Sequence, residues 1–294
     1  MSTKTLYSLY MAGQNIEGSG KASSYVRAIN LLGPILKNKE SKFQDCSDLW
    51  NVQSVDRIAD LYKYIIEQQH LGENGIFKGE KPASYWRDGY CSAALKSYQQ
   101  FLVLSHYEEH LWKIYNTPKI EPTELSNKLN RQEINSIEYL LSDIEVDFSS
   151  KEGKEKVREV KTRVNQDFFR KMILATYETK CCVTGLNIPE VLRASHIMGW
   201  TEDKENRLNP ANGLCLSATY DAAFDRNLIS FDEDYRMILS PALKEFYTNS
   251  AFQEQFKSFE GRQISLPKRF CPDQIFLTKH RQEGSSGVRK CGSY

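Results

Sequence analysis

The sequence predicts an α+β protein, with a mainly helical first half followed by a strand–loop–strand–helix unit closed by a β-hairpin. Three observations carry this expectation. Apolar residues recur at helical spacing through most of the first half. The composition shifts towards charge between Glu121 and Arg163. Beyond residue 180 the apolar runs shorten and alternate with turn signals. With 294 residues, 40% hydrophobic and 26% charged, the chain is long enough for roughly two domains with buried cores.

Asp56 to Gln69 places Ile58, Leu61, Tyr62, Ile65 and Ile66 on one helical face. Ser92 to Tyr115 does the same with Ala94, Leu95, Tyr98, Phe101, Leu102 and Leu104. Gly72, Gly75, Gly79 and Pro82 mark the loop between them. The run of Lys and Glu from Lys151 to Lys161 reads as a solvated helix or linker, and a helix is expected from a cap at Asn165 to Tyr177. The expected organisation is therefore a helical domain over 1–150 and a charged linker or helix over 151–164. A second domain over 165–241 and a C-terminal extension over 242–294, flexible from Glu283, complete it.

No apolar run approaches the roughly 20 residues of a membrane span, and the first residues lack a cleavable apolar core. A cytoplasmic protein without a membrane partner is the expectation. The seven cysteines contain no C-x-x-C pair, which points to reduced thiols and away from a four-cysteine zinc knuckle. Residues 1–150 hold 16 basic and 19 acidic side chains, and residues 151–294 hold 23 and 19. The basic excess in the second half suits a nucleic-acid partner and equally an ordinary solvated surface.

One motif occurs twice. Lys21, Ser24, Tyr25 and Arg27 repeat the K-x-x-S-Y-x-R pattern of Lys81, Ser84, Tyr85 and Arg87. The plain reading is two helix starts with serine caps. The sharper one offers Tyr25, Arg27, Tyr85 and Arg87 to a DNA backbone. His106, Glu109 and His110 match H-x-x-E-H, the inverted zinc-peptidase pattern, without a distinctive third-ligand motif after them.

The second half carries four ordered blocks: K-C-C-V-T-G at 180–185, A-S-H-I-M-G-W at 194–200, N-R-L-N-P-A-N-G-L at 206–214 and A-A-F-D-R-N-L-I-S-F-D at 222–232. Between them, Asn212 to Leu216 reads as a strand after a turn, with Ser217 able to cap the following helix. Leu228–Phe231 and Arg236–Leu239 read as a hairpin. With these blocks the stretch from Phe168 to Pro241 resembles the HNH endonucleases of the ββα-metal fold, in their restriction-enzyme-like branch.

The resemblance implies metal-dependent hydrolysis of a phosphodiester in double-stranded DNA. His196 falls on the general base, an imidazole that titrates near neutrality. Asn212 falls on the middle asparagine, which would tie the loop and fix the histidine. At the third position the family usually has a histidine, and here Asp221 stands in its place. A carboxylate suits one Mg²⁺ or Mn²⁺ per site. Asp225, one helical turn on, is the second candidate ligand, or else a partner for Arg226. Ser195 replaces a residue that is often a ligand in related nucleases. No structural zinc is expected. Arg193, Arg207 and Arg226 are candidate phosphate contacts. A restriction-type or defence nuclease acting as a homodimer is the leading expectation, with 165–241 as its nuclease domain and 1–150 as a DNA-recognition or assembly domain. The rival is a degenerate module that binds DNA or protein without cutting, and a zinc peptidase on His106, Glu109 and His110 is a minor alternative.

Overall fold

A computed structural model describes residues 1–14, 20–38, 41–132, 140–141 and 150–285. It is mixed, mostly helical, with two small two-stranded sheets among the described residues. The chain divides into two compact units, Met1–His110 with Ile134–Val157, and Leu111–Glu133 with Arg158–Tyr294.

In the first unit, helices α1 (Thr3–Gln14), α2 (Lys21–Asn38), α3 (Val55–Leu71), α4 (Ser84–Arg87) and the first part of α5 (Tyr90–Tyr115) enclose one apolar core. α3 realises the periodicity of 56–69, with Ile58, Leu61 and Ile65 buried. It starts where Ser54 accepts the Arg57 amide at 3.2 Å, and it stops at Gly72, whose φ of 55° few other residues tolerate. Tyr7, Trp50, Tyr98 and Phe101 pack edge-on and stacked in the centre.

The twin motif does not form serine caps. Ser24 lies inside α2, and the cap position of α4 is Ala83. Instead the two copies meet, with the Arg27 guanidinium 5.4 Å from the Tyr85 ring centre. Arg87 pairs with Glu73 at 3.6 Å, and Tyr25 has Lys21 over its ring.

The second unit begins with the end of α5 and with α6 (Pro122–Asn130), followed by α7 (Lys151–Thr176), whose larger part lies here. α7 is one continuous helix. Asn165, expected as a cap, is buried in its middle, because the i,i+4 pairs Glu152–Lys156, Glu159–Arg163 and Asp167–Lys171 let the charged run continue as helix. Its apolar end presents Phe168, Phe169, Met172 and Ile173 to the core.

The turn Cys181–Gly185 closes with the Gly185 amide on the Cys181 carbonyl, and Gly185 has φ 74°. Strand β1 (Leu192–His196) pairs antiparallel with β2 (Gly213–Ser217), bringing His196 opposite Gly213. Helix α8 (Ala218–Asp225) follows directly. Ser217 occupies its cap position without a side-chain bond. β3 (Ile229–Phe231) and β4 (Met237–Leu239) pair antiparallel, and a short α9 (Ser250–Gln255) comes next. α10 (Gln274–Ser285) lies on β3, where buried His280 stacks on Phe224 at 3.8 Å and contacts Ser230 Oγ at 2.9 Å. The tail expected to be flexible from Glu283 is thus helical to Ser285, and 286–294 lie outside the described residues.

Gly213 is where β2 meets α7. A Cβ there would sit 2.4 Å from Ile173 Cδ1 and 2.9 Å from Phe169 Cζ, both on buried side chains. Gly213→Ala is expected to cost about 1–3 kcal/mol by overpacking, read as a lower midpoint in chemical denaturation at unchanged slope.

Among the described residues no helix is long and apolar enough to cross a membrane.

Candidate active site

Neighbouring residues on a strand point to opposite faces, and β1 uses both. Ser195 turns towards α8 and hydrogen-bonds the Asp221 carboxylate. His196 turns the other way, towards α7, and lies flat on Phe169 with ring centres 3.7 Å apart. Trp200 meets its edge at 5.4 Å.

The hydrogen bond of His196 defines its chemistry. Nε2 is 3.0 Å from the Arg207 carbonyl oxygen. A carbonyl only accepts, so Nε2 carries the proton and Nδ1 keeps its lone pair. Burial, opposed by the hydrogen bond to the Arg207 carbonyl and aided by the Arg207 charge, lowers the imidazole pKa to about 4. The ring is therefore neutral at physiological pH, with Nδ1 unprotonated.

Asn212 is fully buried and holds the segment that leads away from the histidine. Its Oδ1 accepts from the Met198 amide at 2.8 Å, and its Nδ2 donates to the carbonyls of Met198 and Asn206 at 3.2 and 3.1 Å. The Ile197 amide bonds its carbonyl at 3.0 Å. The intervening loop is tied within itself at two- and three-residue intervals. Asp203 accepts from Asn206, Asn206 accepts from Asn209, and Asn209 accepts from the Ala211 amide.

Asp221 sits half-buried in the first turn of α8, whereas Asp225 is exposed at its end. Neither carboxylate is among the partners of His196. The donor set around Asp221 is all oxygen, a carboxylate and the hydroxyl bonded to it. That suits a hard divalent ion, which takes one or two carboxylates and completes its shell with water and phosphate oxygens. It does not suit tetrahedral zinc. Among the described residues, His106, Glu109 and His110 included, no group of three or more His, Cys, Asp or Glu is arranged to hold a metal. Those three lie exposed on α5. Cys181, Cys182 and Cys215 are buried free thiols, and burial raises the Cys182 and Cys215 pKa values.

Of the candidate phosphate contacts, Arg207 is nearest the histidine. Its Nε bonds the Trp200 carbonyl at 2.6 Å and its guanidinium lies 5.2 Å from the Trp200 ring centre. Arg193 is exposed and donates to the carbonyls of Glu190 and Leu192. Arg226 is exposed and donates to the Ala222 carbonyl. Tyr25, Arg27, Tyr85 and Arg87 belong to the first unit.

Sequence reasoning missed three participants. Phe169 reads as core, yet it forms the floor under the imidazole. Trp200 and the Arg207 main-chain carbonyl complete the histidine's surroundings. Only the W of A-S-H-I-M-G-W carried a signal, since a carbonyl leaves none in the side-chain code.

Residues 181–232 match the model of a family described as HNH endonuclease. A search of curated proteins finds no match to the chain. The family match implies a nuclease-type function and nucleic-acid binding, and HNH nucleases generally use a divalent metal.

Proposed function

With residues 181–232 assigned to the HNH endonuclease family, we propose that this chain hydrolyses phosphodiester bonds in double-stranded DNA with His196 as general base. The observations that support the reading are the family match over residues 181–232 and the Nε2–H of His196 on the Arg207 carbonyl, which leaves Nδ1 as the unprotonated ring nitrogen.

On this reading Nδ1 of His196 takes a proton from the attacking water while the Arg207 carbonyl stabilises the charge that develops on the ring. Asn212 keeps that carbonyl and the residues after His196 in register. Phe169 excludes water from one ring face. Arg207 and Arg193 bind phosphate oxygens, and Arg226 extends the basic surface at the end of α8. Asp221, steadied by Ser195 on the opposite face of β1 from the imidazole, would hold the divalent ion, with Asp225 as the outer candidate. The scissile phosphate would then have to reach both around the end of the strand. A bound Mg²⁺ or Mn²⁺ would stabilise the negative charge growing on the phosphate and the 3′ leaving oxygen. The strands β1 and β2 with α8 form the proposed ββα-metal unit, and β3–β4 close it. The first unit, with Tyr25, Arg27, Tyr85 and Arg87, supplies DNA recognition or subunit assembly. A homodimer would cut both strands, in keeping with a restriction-type or defence role in the cytoplasm.

The experiment is incubation of the purified chain with unmodified and methylated plasmid in Mg²⁺ or Mn²⁺. Metal-dependent conversion of supercoiled to nicked or linear DNA is expected. EDTA abolishes it, and Asp221→Asn lowers it by about tenfold or more at fixed metal concentration. Retained DNA binding with no cutting under any of these conditions would favour the degenerate-module reading, which the serine at 195 motivates.

A further inference from the structure

We propose that Ser126 and Asn130, on a helix outside the matched segment, are positioning residues that hold the His196 base in its working orientation. This rests on the nuclease reading of His196 and extends the site to α6.

Three consecutive main-chain carbonyls in the 199–212 loop are each held by side chains from a different element. The Glu205 carbonyl accepts from Ser126 Oγ and from Asn130 Nδ2, both at 2.7 Å. The Asn206 carbonyl accepts from Asn212 Nδ2 at 3.1 Å. The Arg207 carbonyl accepts from His196 Nε2 at 3.0 Å. A carbonyl oxygen has two lone pairs, and the two α6 donors use both at Glu205. Asn130 Nδ2 also lies 3.3 Å from Ser126 Oγ, which locks the two donors together.

Ser126 is 1% exposed, so its hydroxyl has exchanged water for the Glu205 carbonyl and the Asn130 amide. The tethering is cooperative along the chain. Fixing the peptide after Glu205 restricts the planes of the next two, and the last of these presents the oxygen that sets the histidine tautomer. No signal in the four sequence blocks points to α6, which ends about fifty residues before the first of them. Its N-terminal proline and the buried Leu125 and Leu129 seat it against the second unit's core, and its polar edge then faces the loop.

The test uses the full chain with Ser126→Ala and Asn130→Ala combined, beside each single variant and Ser126→Thr, which keeps the hydroxyl. Two readouts apply: steady-state plasmid cleavage, and the ¹⁵N-resolved Nε2–H proton of His196. The double variant is expected to lose about tenfold or more in kcat with KM within about twofold. Its Nε2–H proton, protected in the parent, should exchange rapidly with water, while Ser126→Thr stays near the parent on both readouts. If the double variant does not fold, Asn130→Ala, which keeps the Ser126 bond, gives the same changes at smaller size. Parent-like kcat and a protected Nε2–H in the variants overturn the proposal. Full cleavage by His196→Ala would instead overturn His196 as the general base, and the Nε2–H signal then decides the positioning role by itself.

Discussion

His196→Ala loses DNA cleavage by about a hundredfold to ten-thousandfold, the range that a general base contributes, while DNA affinity stays within a few-fold. The expectation follows from what the side chain touches. Its polar contact is the Arg207 carbonyl, and its ring lies between Phe169 and Trp200. Removing the imidazole takes away the proton acceptor and leaves the candidate DNA contacts of Arg193 and Arg226 in place. The loss appears in kcat, because the base acts on the attacking water and not on substrate binding. The variant also loses packing on Phe169, so its melting curve is measured in parallel. A folded His196→Ala protein that cleaves at the parent rate removes His196 from the mechanism.

The second large effect is on pH dependence. An unshifted histidine would lose base function below about pH 6.5. With its pKa lowered to about 4 by burial, His196 remains deprotonated in the folded protein well below that. Cleavage at saturating metal is expected to hold its rate from pH 7 to about 5, falling only nearer pH 4. The same shift makes stability depend on pH. The unfolded chain binds the proton near pH 6.5 and the folded chain only near 4, so the unfolded state holds more protons in between. The stabilisation is full above pH 6.5 and lost progressively as pH falls towards 4, on the order of 3 kcal/mol over that window. Denaturation midpoints of the parent and of His196→Ala, compared between pH 7 and 4.5, measure it. The parent is expected to lose more stability than the variant on acidification.

The helical half was legible because burying one face of a helix imposes its period on the side chains. α3 extends only one residue before and two beyond the run read from Asp56 to Gln69. The segment 181–232 that matches the HNH family was legible by its blocks. Where the reading failed, main-chain chemistry or competition between local signals decided. Asn165 looked like a cap, but three i,i+4 ion pairs sustain α7 through it. The serines of the twin motif looked like caps, while the structure joins the copies through Arg27 and Tyr85. The opposite facing of Ser195 and His196 follows from strand geometry and places the Asp221 carboxylate and the imidazole on different faces of β1. The carbonyls of residues 205–207 leave no trace in the order of side chains, so the clamp from α6 was invisible to the sequence.

The most direct test of the account is the ¹⁵N spectrum of the His196 ring as a function of pH in the full chain. The expected spectrum is that of a neutral imidazole protonated at Nε2, unchanged from pH 8 to about 5, with protonation of Nδ1 centred near pH 4. A ring protonated on both nitrogens at pH 7, or a neutral ring carrying its proton on Nδ1, would contradict it.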